Sequence, residues 1–153
     1  MRRLALRFTT EIARSPQEVF DYLADVRRHA EWSPKAYRID GLAEGPVHLG
    51  STFTSYGYVP REPDHRNEVE VTRFDPPKEI EFTAMDRGEP FVNRYTLTPQ
   101  GVGTRVDRVM DMPRPDGLMG AVLPLFAAGF IKPAVGKGMG MLKQRLEQGG
   151  GGA

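Results

Sequence analysis

The chain has 153 residues, enough for one hydrophobic core of ordinary size, and its 21 basic and 20 acidic residues leave a formal net charge of +1. That balance lacks the electrostatic footprint of a nucleic-acid binder, and the absence of cysteine excludes disulfides, thiol catalysis and cysteine metal sites. The three histidines, His29, His48 and His65, have no H-x-x-x-H spacing, so no zinc site is expected, and no cofactor motif is present.

Met1-Arg2-Arg3 opens the chain, but Arg7, Thr9, Thr10 and Glu11 break the apolar segment a signal peptide needs, so the expectation is a soluble, cytoplasmic protein. Leu4, Leu6, Phe8, Thr10 and Ile12 alternate with polar residues at the period of a half-buried strand. Ser15-Pro16-Gln17-Glu18 predicts a helix start: Ser15 caps, Pro16 suits the first turn, and Glu18 completes a capping box. Val19, Phe20, Leu23 and Val26 give that helix its apolar face, and it ends near Arg27. A short turn or helix through His29 and Glu31 leads to Trp32, where Ser33-Pro34 stops it.

From Tyr37 the period returns to two. Strands are predicted over Tyr37 to Leu42, Ser51 to Val59, Glu68 to Phe74, Ile80 to Ala84, Phe91 to Thr98 and Thr104 to Met112. Pro60 to Asp64 reads as a loop, Asp75-Pro76-Pro77-Lys78 as a turn, and Pro99 to Gly103 as a hairpin connection. A long C-terminal helix closes the chain. Val135, Met139, Leu142 and Leu146 form one helical stripe, with Lys137, Lys143, Gln144 and Glu147 around it. Its first half, Leu118 to Ile131, carries no charge on any side and is too short to span a bilayer, so the sheet is expected to cover it. No repeat or linker interrupts this order. It predicts a single α+β domain over residues 1–148, with an antiparallel sheet and segregated helices, followed by a flexible glycine-rich tail over 149–153.

Ser15-Pro16-x-Glu18-Val19-Phe20-Asp21-Tyr22-Leu23-Ala24-Asp25, followed by Trp32-Ser33-Pro34, resembles the START-like superfamily, and within it the polyketide cyclase/dehydrase and lipid-transport group. Phe74 to Ile80 is similar to that group's mid-sheet turn, and Tyr95 to Val106 to its closing hairpin. The resemblance implies a helix-grip fold, a curved antiparallel sheet wrapped around the C-terminal helix with a cavity between them. It also implies a small hydrophobic ligand such as a lipid, a quinone or an aromatic polyketide-like molecule.

Phe53, Val69, Val71, Ile80, Phe82, Tyr95, Leu97, Val106 and Met110 make one face of such a sheet apolar, and alternation puts Asn93 and Arg108 on that face while Arg94 points to solvent. An arginine among these residues is costly to bury alone; it either holds a ligand's oxyanion, pairs with a core acid, or is turned outward by a bulge. Tyr56, Tyr58 and Tyr95 either offer hydroxyls or simply pack, and Trp32 either stacks on a ligand or plugs the gap between helices and sheet. Phe126 and Phe130 fall opposite the Val135 stripe. Either Pro133 rephases the helix, or these rings face a ligand, a partner chain or a membrane. The candidate ligand-binding residues are therefore Trp32, Phe53, Tyr56, Phe82, Asn93, Tyr95, Arg108, Met110, Phe126 and Phe130, with the pocket opening along Leu118 to Ile131.

Catalysis needs a positioned acid or base. Asp86 lies next to a turn, Asp107 is out of phase with the pocket, and His65 in Pro63-Asp64-His65-Arg66 reads as exposed and idle, so no His/Asp dyad is expected. Gly136-Lys137-Gly138-Met139-Gly140 lacks the order of a phosphate loop and suits close packing or a kink. The leading reading is a non-catalytic carrier of a small hydrophobic ligand. Its alternatives are an aromatase/cyclase-type enzyme using Arg108 with a tyrosine, or an interaction module. Transient membrane contact and a homodimer are left open.

Overall fold

Period-two alternation becomes seven strands: β1 (Arg2–Ile12), β2 (Tyr37–Asp40), β3 (Thr52–Val59), β4 (Glu62–Asp75), β5 (Glu79–Asp86), β6 (Glu89–Gln100) and β7 (Gly103–Arg114). The computed structural model describes residues 2–149, so most of the tail predicted over 149–153 lies outside the described residues. The strands form one antiparallel sheet in the order β1-β7-β6-β5-β4-β3-β2. The first strand therefore pairs with the last, and the rest follow as a meander.

Pro60 to Asp64 is not a loop. Only a tight turn separates β3 from β4, and Pro63 lies within a strand. The β4–β5 ladder ends at the Glu68–Met85 pair, so at Pro63 one side of β4 has no partner strand and a missing N–H costs no ladder bond there.

The predicted capping box starts helix α1 (Pro16–Ala24). The Ser15 hydroxyl accepts from the Glu18 N–H, and the Glu18 carboxylate accepts from the Ser15 N–H at 3.0 Å. Val19, Phe20 and Leu23 of α1 are buried against the sheet. A 3₁₀ helix (Val26–Trp32) follows and ends at Trp32, before Ser33-Pro34.

The C-terminal helix runs unbroken through α2 (Gly117–Phe126), a π-helical turn (Ala127–Ile131) and α3 (Lys132–Gln148). The π turn adds a residue to the repeat, and Pro133, which has no N–H to donate, sits in the first turn of α3. Together they rephase the helix. Met139, Leu142 and Leu146 are buried on the sheet as the stripe requires, and Val135 is half-buried. Gly138 passes under the Trp32 carbonyl oxygen, which a Cβ there would approach to 3.2 Å. That is the close packing foreseen for this glycine.

Leu118 to Ile131 departs from expectation. The sheet does not cover it: Leu118 is 80% and Leu125 75% exposed, and only Gly120 and Ala127 of α2 and the π turn are buried. Gly120 lies so near the Pro115 carbonyl that no Cβ fits between them. The helix thus meets β7 through its two small residues and turns its bulky ones outward. Nonpolarity all round a helix does not by itself say that anything packs on it.

Candidate functional site

A cavity of about 380 Å³ lies between the concave face of the sheet, the Trp32–Ala36 segment and the first turn of α3. The pleat decides which residues line it. On β6 and β7 the inward phase is Asn93, Tyr95, Arg108 and Met110, and the register pairs Asn93 with Met110 and Tyr95 with Arg108. On β5 it is Phe82, Ala84 and Asp86; on β4, His65, Asn67 and Val69; on β3, Phe53, Ser55 and Gly57. Helix α3 contributes Ala134 and Val135.

Of the ten residues singled out from sequence, Trp32, Phe53, Phe82, Asn93, Tyr95, Arg108 and Met110 line this cavity. Tyr56, Phe126 and Phe130 do not. Tyr56 is one residue out of phase with Phe53 and Ser55, and its ring is covered on the outer face by the Arg38 guanidinium at 3.6 Å. A bulge after Gly57 brings Tyr58 to the cavity rim instead, where Lys35 lies 5.2 Å from its ring. Phe126 and Phe130 stack on each other with centroids 5.2 Å apart, on the helix segment that leaves the sheet. The cavity therefore opens beneath the start of α3, not along Leu118 to Ile131. Arg94 is on the outer face, paired with the buried Glu81 at 2.7 Å.

Arg108 supplies the polar centre. Its Nε and Nη2 donate to the Asn93 side-chain oxygen at 3.1 and 2.7 Å, and its guanidinium carbon lies 5.2 Å from the Tyr95 ring centroid and 6.0 Å from that of Trp32. Among the described residues no carboxylate pairs with it. The core-acid alternative is thus set aside, and no bulge interrupts the β6–β7 register to turn the arginine outward.

Spacing does not mark His29 as a lining residue, yet it is one. Its ring is set among those of Trp32 and Phe82, with centroids 5.1 and 5.4 Å away, and Nε2 lies 2.8 Å from the Leu23 carbonyl oxygen. Since a carbonyl only accepts, Nε2 carries the proton and Nδ1 keeps its lone pair. Burial pushes this imidazole down to about 4, and the nearby Arg108 charge acts in the same direction. Burial likewise raises the phenols: Tyr37 to about 12, partly offset by Ser55, and Tyr95 against the opposing pull of Arg108. At neutral pH the wall near Arg108 therefore offers a neutral imidazole, two intact phenols and one guanidinium. Two further polar groups of the lining, the Trp32 indole N–H and the Asn67 side-chain oxygen, are buried with no hydrogen-bond partner among the described residues.

His65 is not idle: its side chain is 11% exposed, Nε2 lies 2.9 Å from Asp86 Oδ1, and Nδ1 is hydrogen-bonded to Glu62. Reading Pro60–Asp64 as a loop hid this pairing, because only a strand beginning at Glu62 carries His65 inward beside the end of β5.

A curved antiparallel sheet that grips a C-terminal helix over an apolar, arginine-bearing cavity defines a helix-grip protein. Residues 3–147 match the family described as polyketide cyclase / dehydrase and lipid transport, and the chain belongs to that family. No curated protein matches it. Among solved structures it is similar to NE0264 from Nitrosomonas europaea (TM-score 0.72, 17% identity, 96% of each chain covered). It is also similar to DynU16 from the dynemicin biosynthetic locus (TM-score 0.63, 20% identity, 95% of this chain and 48% of that one). A third is the Aha1 dimer from Colwellia psychrerythraea (TM-score 0.62, 17% identity, 94% and 96%). At these identities the likeness extends to the fold alone.

Proposed function

We propose that this protein binds a small, mostly apolar, flat ligand carrying one oxyanion, a carboxylate or phenolate, in the cavity beneath α3. The observation that carries the reading is Arg108: a guanidinium in an apolar wall, held by a neutral amide, with no carboxylate partner among the described residues. A cation taken from water this far is stabilised most by an anion that arrives with the ligand. Trp32, Tyr95, Phe82 and Phe53 pack edge-to-face in turn and supply a continuous aromatic wall, and about 380 Å³ suits a molecule of two or three fused rings. The test uses naphthalene-carboxylate. Trp32 is the only tryptophan and lines the cavity, so its fluorescence reports occupancy directly. Saturable quenching by the carboxylate, much weaker for the neutral acetylnaphthalene, is expected, together with an anionic aromatic or lipid released on extraction of the purified protein. No saturable response to either probe and an empty extract would refute it.

A second reading concerns α2. Leu118, Met119, Val122, Leu125 and Phe126 are all exposed and share a stripe about 120° wide, opposite Gly120 and Ala127. No charge interrupts the chain between Asp116 and Lys132, and Arg114 and Lys132 flank the stripe. Gly117–Gln148 is long and apolar enough to cross a membrane by length and composition, and only 11% of its most apolar window is buried. We propose that this stripe lies on an anionic membrane surface, with the basic flanks at headgroup level. Co-sedimentation with phosphatidylserine vesicles, lost in Leu118→Glu/Leu125→Glu with an unchanged melting temperature, is the expected result. A protein that stays in the supernatant, or pairs into a dimer through this stripe, overturns it.

A further inference from the structure

We infer that Asp86 is a general base at the far end of the cavity from Arg108, positioned by His65, and that the protein tautomerises its ligand rather than only carrying it. The inference rests on the binding reading above and adds a reaction to it.

His65 and Asp86 line the cavity, whereas Glu62 does not. The imidazole bridges the two carboxylates, and Arg87 holds Glu62 in turn at 2.6 Å. This assembly stands beyond the last β4–β5 pair, Glu68–Met85; β3 holds His65 through Gly57 and β6 holds Asp86 through Glu89, so between β4 and β5 themselves it is the side chains that make the link here. Both ring nitrogens of His65 are engaged; the group left with capacity towards a ligand is Asp86, whose side chain is 36% exposed. A second observation points inward from the same place. Asn67, two residues along the same face of β4, has its side-chain oxygen buried without a partner among the described residues.

The register measures how far the two polar ends lie apart. Asn93, which holds Arg108, pairs with Phe82, and Asp86 is four residues further along β5. At about 3.3 Å per residue that is about 13 Å along the strand, and the inward residues between are the apolar Phe82 and Ala84. With the arginine side chain reaching inward, the fitting ligand has an anionic end and, several ångströms away, a C–H acidified by a neighbouring carbonyl. Asp86 Oδ2 takes that proton, the C–H electron pair moves into the carbonyl to give an enolate, and Asp86 returns the proton to the enolate oxygen or to another carbon. Atoms and charge balance without a co-reactant. His65 touches no reacting atom; it fixes the rotamer of Asp86 and leaves Oδ2 free.

The probe is para-acetoacetylbenzoate, a carboxylate with an enolisable methylene at the opposite end of a benzene ring. Deuterium entry at the methylene is followed by NMR in heavy water, and binding by Trp32 fluorescence. Wild type should accelerate exchange about 100-fold over buffer. Asp86→Asn and Asp86→Ser should both lose this while binding within twofold of wild type. His65→Gln should lower the maximal rate about tenfold with unchanged half-saturation, a split that a merely structural link between β4 and β5 does not produce. If the probe binds but exchange is not accelerated, or survives both Asp86 substitutions, the inference is overturned and the binding reading stands. If neither this probe nor naphthalene-carboxylate binds, both fall together.

Discussion

Replacing Arg108 by methionine separates function from stability. Most buried charges are removed at a loss of several kcal/mol because a partner is left behind, but here the partner is neutral. The variant recovers the cost of holding a guanidinium in an apolar wall. It loses the charge-assisted bonds to Asn93, about 2 kcal/mol, and the ring contacts with Tyr95 and Trp32, about 1 kcal/mol. Desolvation of a half-buried arginine is of the same size, roughly 3 to 4 kcal/mol, so the two sides nearly cancel with a small gain for methionine. We expect Arg108→Met to melt at the same temperature as wild type or up to about 4 °C higher. Affinity for naphthalene-carboxylate should fall roughly 10- to 100-fold, the loss of one charged hydrogen-bonding partner, while acetylnaphthalene binds as well or better. Calorimetric titration and thermal unfolding of the two proteins give both numbers. A melting temperature lowered by more than about 4 °C, or an unchanged preference for the carboxylate, would falsify the reasoning, since Arg108 would then serve the fold.

Other consequences are equally direct. His29 is held at about 4 in the fold against an ordinary value of 6.5, so the unfolded chain binds the extra proton; its contribution is complete above pH 6.5 and is lost as pH falls towards 4. Denaturant titrations from pH 7 to pH 4 should show up to about 3 kcal/mol lost in wild type and a shallower decline in His29→Phe. Gly120→Ala drives a Cβ into the Pro115 carbonyl and should cost about 1 to 3 kcal/mol, whereas Gly136→Ala, with open space around it, should gain up to about 1 kcal/mol in the same thermal assay. Ser15→Ala removes half of the capping box and should cost about 1 kcal/mol by chemical denaturation, with cavity binding unchanged.

What the residues alone determined is local. Alternation along a strand is set by the pleat, so the inward phase of Asn93, Tyr95, Arg108 and Met110 followed from spacing, as did the Ser15–Glu18 cap and the Met139/Leu142/Leu146 stripe. The outward side of Tyr56 is in the spacing too, since it lies three residues from Phe53 and takes the opposite face; what one sequence does not reveal is the bulge after Gly57 that brings Tyr58 to the cavity rim. Tertiary structure decided the rest. Residues 65 and 86 meet only because two hairpins have particular lengths and a proline is tolerated where β4 has an open side. The short turn or helix expected through His29 is a 3₁₀ helix, and only its packing beneath the sheet brings that ring into the cavity wall. Leu118 to Ile131 shows the limit most plainly: a helix's composition states what it would gain by burial, but whether anything lies against it depends on where the sheet ends. Here only Gly120 and Ala127 of this stretch are buried, and the apolar side is left to face outward.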